Sequence, residues 1–146
     1  MAVLIVLVVS WLVFRLIGAL GVAALDSWHD SARCAFAVMF LFSAVAHFNR
    51  MKHDLARMIP DLFPKPLWIV YITGVLEAAG AVGLILPRFH SLAAFCLIAL
   101  LAAMFLANVH AARTGVTLRG KPVTLLWIRT PMQLLFILLL WWTASR

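Results

Sequence analysis

Negative charge is scarce in this chain: five of its 146 residues are Asp or Glu, and all charged residues together make up 12%. A soluble domain is about a quarter charged, so the solvated surface of a water-soluble fold is missing. Cysteine is equally sparse. Cys34 and Cys96 stand far apart without a C-x-x-C, which leaves a thioredoxin-like redox reading no local motif. No H-x-x-x-H occurs and no carboxylate stands at ligand spacing beside it, so no metal site is expected, although His47 and His110 could converge in space. There is no flavin, haem or dinucleotide motif, and an electron-transfer cofactor would belong to a partner. Short alternating strands are absent too, which excludes a closed membrane barrel.

In their place stand apolar residues, 66% of the chain, with a mean hydropathy of +1.08. No water-soluble fold of this length could hide so much apolar surface, and the lipid bilayer must act as its solvent. Five apolar runs approach or exceed the roughly 20 residues a spanning helix needs. They lie near 2–25, 33–49, 66–87, 91–112 and 123–143. The expected fold is therefore an all-α membrane protein, one transmembrane domain over 1–146. The first run is longer than a signal peptide's core and no Lys or Arg precedes Arg15, so it reads as a retained helix.

The net charge of +7 forms no basic face suited to nucleic acid, and reads as topology. Five crossings put Arg50, Lys52, Arg57, Lys65, Arg113, Arg119 and Lys121 on the side of Met1, against Arg33, Arg88 and Arg146 opposite. The positive-inside rule then predicts a cytoplasmic N-terminus and an outer C-terminus in the cell membrane. Trp28, Trp68, Trp127, Trp141 and Trp142 fall near span ends, as an interfacial belt does. Between 50 and 60, Met51, Leu55, Met58 and Ile59 recur at helical spacing among cations, which predicts a short interfacial helix. Cys34 and Cys96 sit near the outer ends of spans two and four, either inert or bridged.

Ionisable groups at membrane depth are costly and face the bundle interior. Arg15, Glu77 and Arg129 are such groups, with Gln133 on the face of Arg129. Arg15 lies ten residues before Leu25 and Glu77 ten before Pro87, which sets both at one depth, with Arg129 about a turn away. Glu77 can pair with Arg15, or with Arg129 and Gln133. It is then either a structural ion pair or a proton-handling, ligand-anchoring carboxylate. Nearer the inner side His47, Asn49, Tyr71, Asn108 and His110 share a level. They are either solvated interfacial groups or contacts for a proton relay or a quinone head group.

The stretch from Phe42 to Gln133 resembles the DoxX and DoxX-like membrane proteins. The likeness rests on A-H-F at 46–48, M-I-P-D-L-F-P at 58–64, G-V-L-E-A-A-G-A-V-G-L-I-L-P-R at 74–88, A-N-V-H at 107–110 and R-T-P-M-Q at 129–133. It implies a four-helix transmembrane bundle over 33–143, with the first helix an addition. The matching polar positions are His47, Glu77, Arg88, Asn108, His110, Arg129 and Gln133. It also implies a link to quinone-dependent oxidoreductase assemblies or to complexes resisting oxidative stress. The sequence carries no catalytic motif. The first functional expectation is an accessory or membrane subunit of a quinone-linked redox or stress-response system, with a bound quinone or lipid and a redox-enzyme partner. The second is a non-catalytic bundle that binds lipid, scaffolds an assembly or forms a homo-oligomer.

Overall fold

The computed structural model describes residues 2–145. Arg146, counted above among the outer cations, lies outside them. Five helices are long and apolar enough to cross a bilayer, the architecture of a multi-pass membrane protein. They are α1 (Ala2–Ala19), α2 (Trp28–Phe48), α4 (Pro66–Ile85), α5 (His90–Thr114) and α6 (Leu126–Ala144), with a short α3 (Lys52–Met58) between the second and third.

α2 packs chiefly on α4, α4 on α5, α5 on α6, and α6 returns to α2, closing a four-membered ring. α1 lies outside it, against α2. Of α1 only Leu7 and Gly18 are fully buried, whereas α2 buries nine residues, Phe36 and Phe40 among them. The core gathers Leu7, Phe36, Phe40, Leu84, Leu97, Phe136 and Leu140 from all five long helices. Small residues set how closely they approach, because lipid supplies no hydrophobic force to join them. A Cβ on Gly74 would lie 2.5 Å from the Cβ of His47, and one on Gly80 would lie 2.5 Å from Leu97. These two glycines lie at close approaches of α4 to α2 and to α5.

Three span boundaries differ from the sequence reading by three residues or more. The first helix stops at Ala19, not 25, because Gly21 turns the chain at φ +110°. The chain then folds back so closely that a Cβ on Gly18 would strike the Leu25 carbonyl. Apolar residues continue through this turn and hide it. The second helix starts at Trp28, five residues before the expected 33, because Ser27 caps it by accepting from the Asp30 amide at 3.0 Å. The last helix starts at Leu126 rather than 123, since 117–122 forms a hairpin of two short strands, β1 (Thr117–Leu118) and β2 (Lys121–Pro122). Arg119 and Gly120 make its two-residue turn, both at positive φ, as a primed hairpin turn requires. A short helix, α3, lies where one was expected near 50–60.

Asp54 of α3 holds that hairpin. Its carboxylate accepts from the Arg119 amide at 3.0 Å and pairs with Arg57. The amide bond and the Arg57 guanidinium hold its pKa below the usual carboxylate value. Lys52 donates to the Tyr71 hydroxyl at 2.8 Å and tethers α3 to α4. Cys34 and Cys96 are both unbridged.

Candidate functional site

Inside the ring, α2 and α4 bring two titratable side chains face to face. His47 Nε2 lies 3.7 Å from Glu77 Oε2, and both residues are almost fully buried. His47 Nδ1 is 2.8 Å from the Val70 carbonyl. A carbonyl only accepts, so Nδ1 carries a proton and Nε2 is the position left to exchange one with Glu77. Thr73 supports this tautomer from 3.1 Å while bonding the Ile69 and Val70 carbonyls. Ser43 lines the same cavity as the Glu77 carboxyl. Oxygen Oε2 of Glu77 has no hydrogen-bond partner and no solvent exposure. A buried acceptor left in that condition is costly.

Two cavities flank this pair. The first, about 120 Å³, is a chamber lined by Ser43, Glu77, Asn108, Arg129 and Gln133, with apolar walls from Met39, Phe40, Leu101 and Phe136. Val3 of α1 contributes to its outer wall. A chamber of that volume and polarity has room for several waters. The second, about 250 Å³, is mostly apolar. Leu55 and Met58 of α3, then Ile59, Pro60 and Phe63, wall it on one side, with Ile69, Val70 and Leu106 on the other. Met104, Asn108 and Arg129 line both cavities. His47 faces the apolar one and Glu77 the polar one, so the imidazole–carboxyl pair bridges them.

Arg129 forms no ion pair among the described residues. Gln133 donates its side-chain NH₂ to the Leu101 carbonyl at 2.7 Å, which leaves its own oxygen as an acceptor. No group of three or more metal-ligating side chains forms among the described residues.

His47, Glu77, Asn108, Arg129 and Gln133 are thus brought together, and the other sequence candidates are not. Glu77 does not pair with Arg15. The early end of α1 leaves Arg15 about one turn from the helix terminus, where it pairs with Asp26 at 3.6 Å and lies 5.2 Å from the Trp28 ring. Counting both helices from a shared outer boundary failed because the first helix is six residues shorter than its apolar run. Asn49 accepts from the Met51 amide at 2.8 Å at the end of α2, a local turn bond. Tyr71 is committed to Lys52 and stacks on Phe48. His110 is half-buried on α5 and lines neither cavity. Ser43, Thr73 and Met104 were missed. Ser43 lies four residues before His47 and Thr73 four before Glu77, the spacing that shares a helix face, and that was the available signal.

Among known families, the one described as "Domain of unknown function (DUF8561)" matches residues 36–144. No curated protein and no solved structure matches the chain significantly. The match covers about three quarters of the chain, from within α2 to the end of α6, and leaves α1 outside. The chain belongs to this family.

Proposed function

We propose that this chain is a quinone-binding membrane subunit, an accessory of a redox or stress-response system rather than an enzyme in its own right. The carrying observation is the junction of an apolar cavity with a polar chamber at Arg129 and Asn108. A quinone has a flat apolar ring, carbonyl oxygens that accept hydrogen bonds and an apolar tail. Arg129 and Asn108 supply donors where the cavities meet, and Met58, Phe63, Val70 and Leu106 supply the apolar wall. Few polar groups placed in an apolar recess are the usual pattern of a small-molecule site. The likeness to DoxX-like proteins supports the same reading. Of the polar positions in that likeness, His47, Glu77, Asn108, Arg129 and Gln133 line these cavities, while Arg88 is exposed and His110 lies elsewhere.

The face bearing α3 and the hairpin collects Arg50, Lys52, Arg57, Lys65, Arg113, Arg119 and Lys121. That excess supports a cytoplasmic position for it, in the cell membrane. The site then opens toward the inner leaflet. The chain brings no redox group of its own, so electrons pass through a partner enzyme.

Native mass spectrometry of protein extracted gently with its lipids tests this reading. A stoichiometric quinone, lost in Arg129→Leu, is the expected result. Recovery with phospholipid alone would contradict it and favour a lipid-binding or scaffolding bundle.

A further inference from the structure

The charged groups lining the two cavities form a set of three. α2 brings His47, α4 brings Glu77 and α6 brings Arg129; α1, α3 and the 59–63 stretch contribute apolar side chains, and Asn108 is the polar group from α5. With one proton on the His47–Glu77 pair the set carries a net positive charge, and without it the set is neutral. A net charge at membrane depth is unfavourable, so the empty site favours the state lacking that proton. Glu77 Oε2 is then a buried acceptor without a donor. Gln133 adds a second acceptor, its side-chain oxygen, beside the one N–H that the bond to Leu101 leaves unused. A quinone carbonyl supplies no donor for these oxygens.

We infer that the head group bound here carries an acidic hydroxyl, the phenol of a hydroquinone or a carboxylic acid, whose oxygen faces Arg129 while its proton passes to the His47–Glu77 pair. The O–H bond breaks heterolytically. Its electron pair stays on the ligand oxygen beside the guanidinium, the proton goes to Glu77 or His47 Nε2, and no electron is transferred. The occupied site is neutral, as the empty one is, and the orphaned carboxylate oxygen has gained a proton donor. The inference rests on the proposed amphiphile site and specifies which form of the head group that site prefers.

The test uses the full chain in phospholipid nanodiscs, titrated calorimetrically with decylhydroquinone, decylquinone and dodecanoate near neutral pH. The hydroquinone is expected to bind about tenfold tighter than the quinone. Dodecanoate, already ionised, is expected to draw about one proton per molecule from the buffer, read from its heats in two buffers of different ionisation enthalpy. Tight hydroquinone binding alone identifies a quinol-type ligand, and dodecanoate binding with proton uptake identifies a fatty acid. Glu77→Gln should bring the hydroquinone preference to less than about twofold. The wild-type comparison decides the matter even where that variant fails to fold. Equal affinity for decylquinone and decylhydroquinone, with no proton uptake on dodecanoate, would overturn the inference and leave the quinone site standing. Absence of binding by all three would overturn both.

Discussion

Two arginines stand in otherwise apolar helices, and the fold treats them oppositely. Arg15 sits one turn from the end of α1, paired with Asp26 and stacked on Trp28. Its Nη1 is buried without a hydrogen bond, 3.6 Å from the Asp26 carboxylate. Arg129 sits on α6 with its side chain at a junction of two cavities and no carboxylate partner among the described residues. The first is accommodated by local chain geometry, within eleven residues of Asp26. The second depends on four helices converging. A cation with a carboxylate close by in the chain, even with its Nη1 lacking a hydrogen bond, indicates where a helix ends, while one whose side chain lines interior cavities indicates what the interior receives.

The contrast is broken most severely by prising apart the helices that build the second environment. Gly74→Val places a branched side chain where even a Cβ meets His47 at 2.5 Å and Phe48 at 3.0 Å. Overpacking of that kind costs about 3 kcal/mol; thermal unfolding in detergent should show the loss, and quinone retention should vanish with it. Next comes a direct exchange of the two cations. Arg129→Leu should change the bundle's stability little, because the insertion cost of about 2.5–3.5 kcal/mol for a central arginine is removed while Glu77 takes up a proton to keep the site neutral, yet it should weaken quinone binding at least about tenfold. Arg15→Leu should change stability by about 1 kcal/mol or less and leave quinone affinity alone. If Arg15→Leu weakened binding as much as Arg129→Leu, the distinction between the two would collapse.

A smaller effect belongs to the chamber wall. Gln133→Leu removes the bond to the Leu101 carbonyl and should cost about 1 kcal/mol in unfolding measurements. The smallest lies outside the membrane, at the hairpin. Asp54 has its pKa depressed in the folded chain, so its stabilising bond to the Arg119 amide is present above the ordinary aspartate value. That bond weakens as pH falls below about 3.9 toward the depressed folded value. Protection of the Arg119 amide from hydrogen exchange, corrected for the intrinsic pH dependence of exchange, should fall over that range in the wild type, and be low at neutral pH in Asp54→Leu.

The spans were legible because about 20 apolar residues in a row have few other uses. Their ends were less so. Gly21 and the Ser27 cap lie where hydropathy is uninformative, and Arg119-Gly120 supplies a turn by backbone conformation rather than by composition. That His47, Glu77, Asn108, Arg129 and Gln133 lie within the spans could be read from counting. Counting set His47 and Asn108 nearer the inner side than the other three, whereas His47 lies 3.7 Å from Glu77 and Asn108 shares a cavity with Arg129 and Gln133. Which of them meet could not be read, because facing depends on helix rotation. A shift of one residue turns a side chain by about 100°, enough to exchange bundle interior for lipid. Asn49 and Tyr71 are taken up by partners outside the site, while Ser43 and Thr73 line its cavities without a charge to attract notice.

The most direct test of a ligand site at the Arg129 junction is photolabelling in native membranes with a diazirine-bearing quinone, followed by peptide mapping. The account predicts labels on Met58, Phe63 and Met104, around the apolar cavity, and their loss in Arg129→Leu. Labels confined to the outward faces of α1 or α5, unchanged by that substitution, would contradict it.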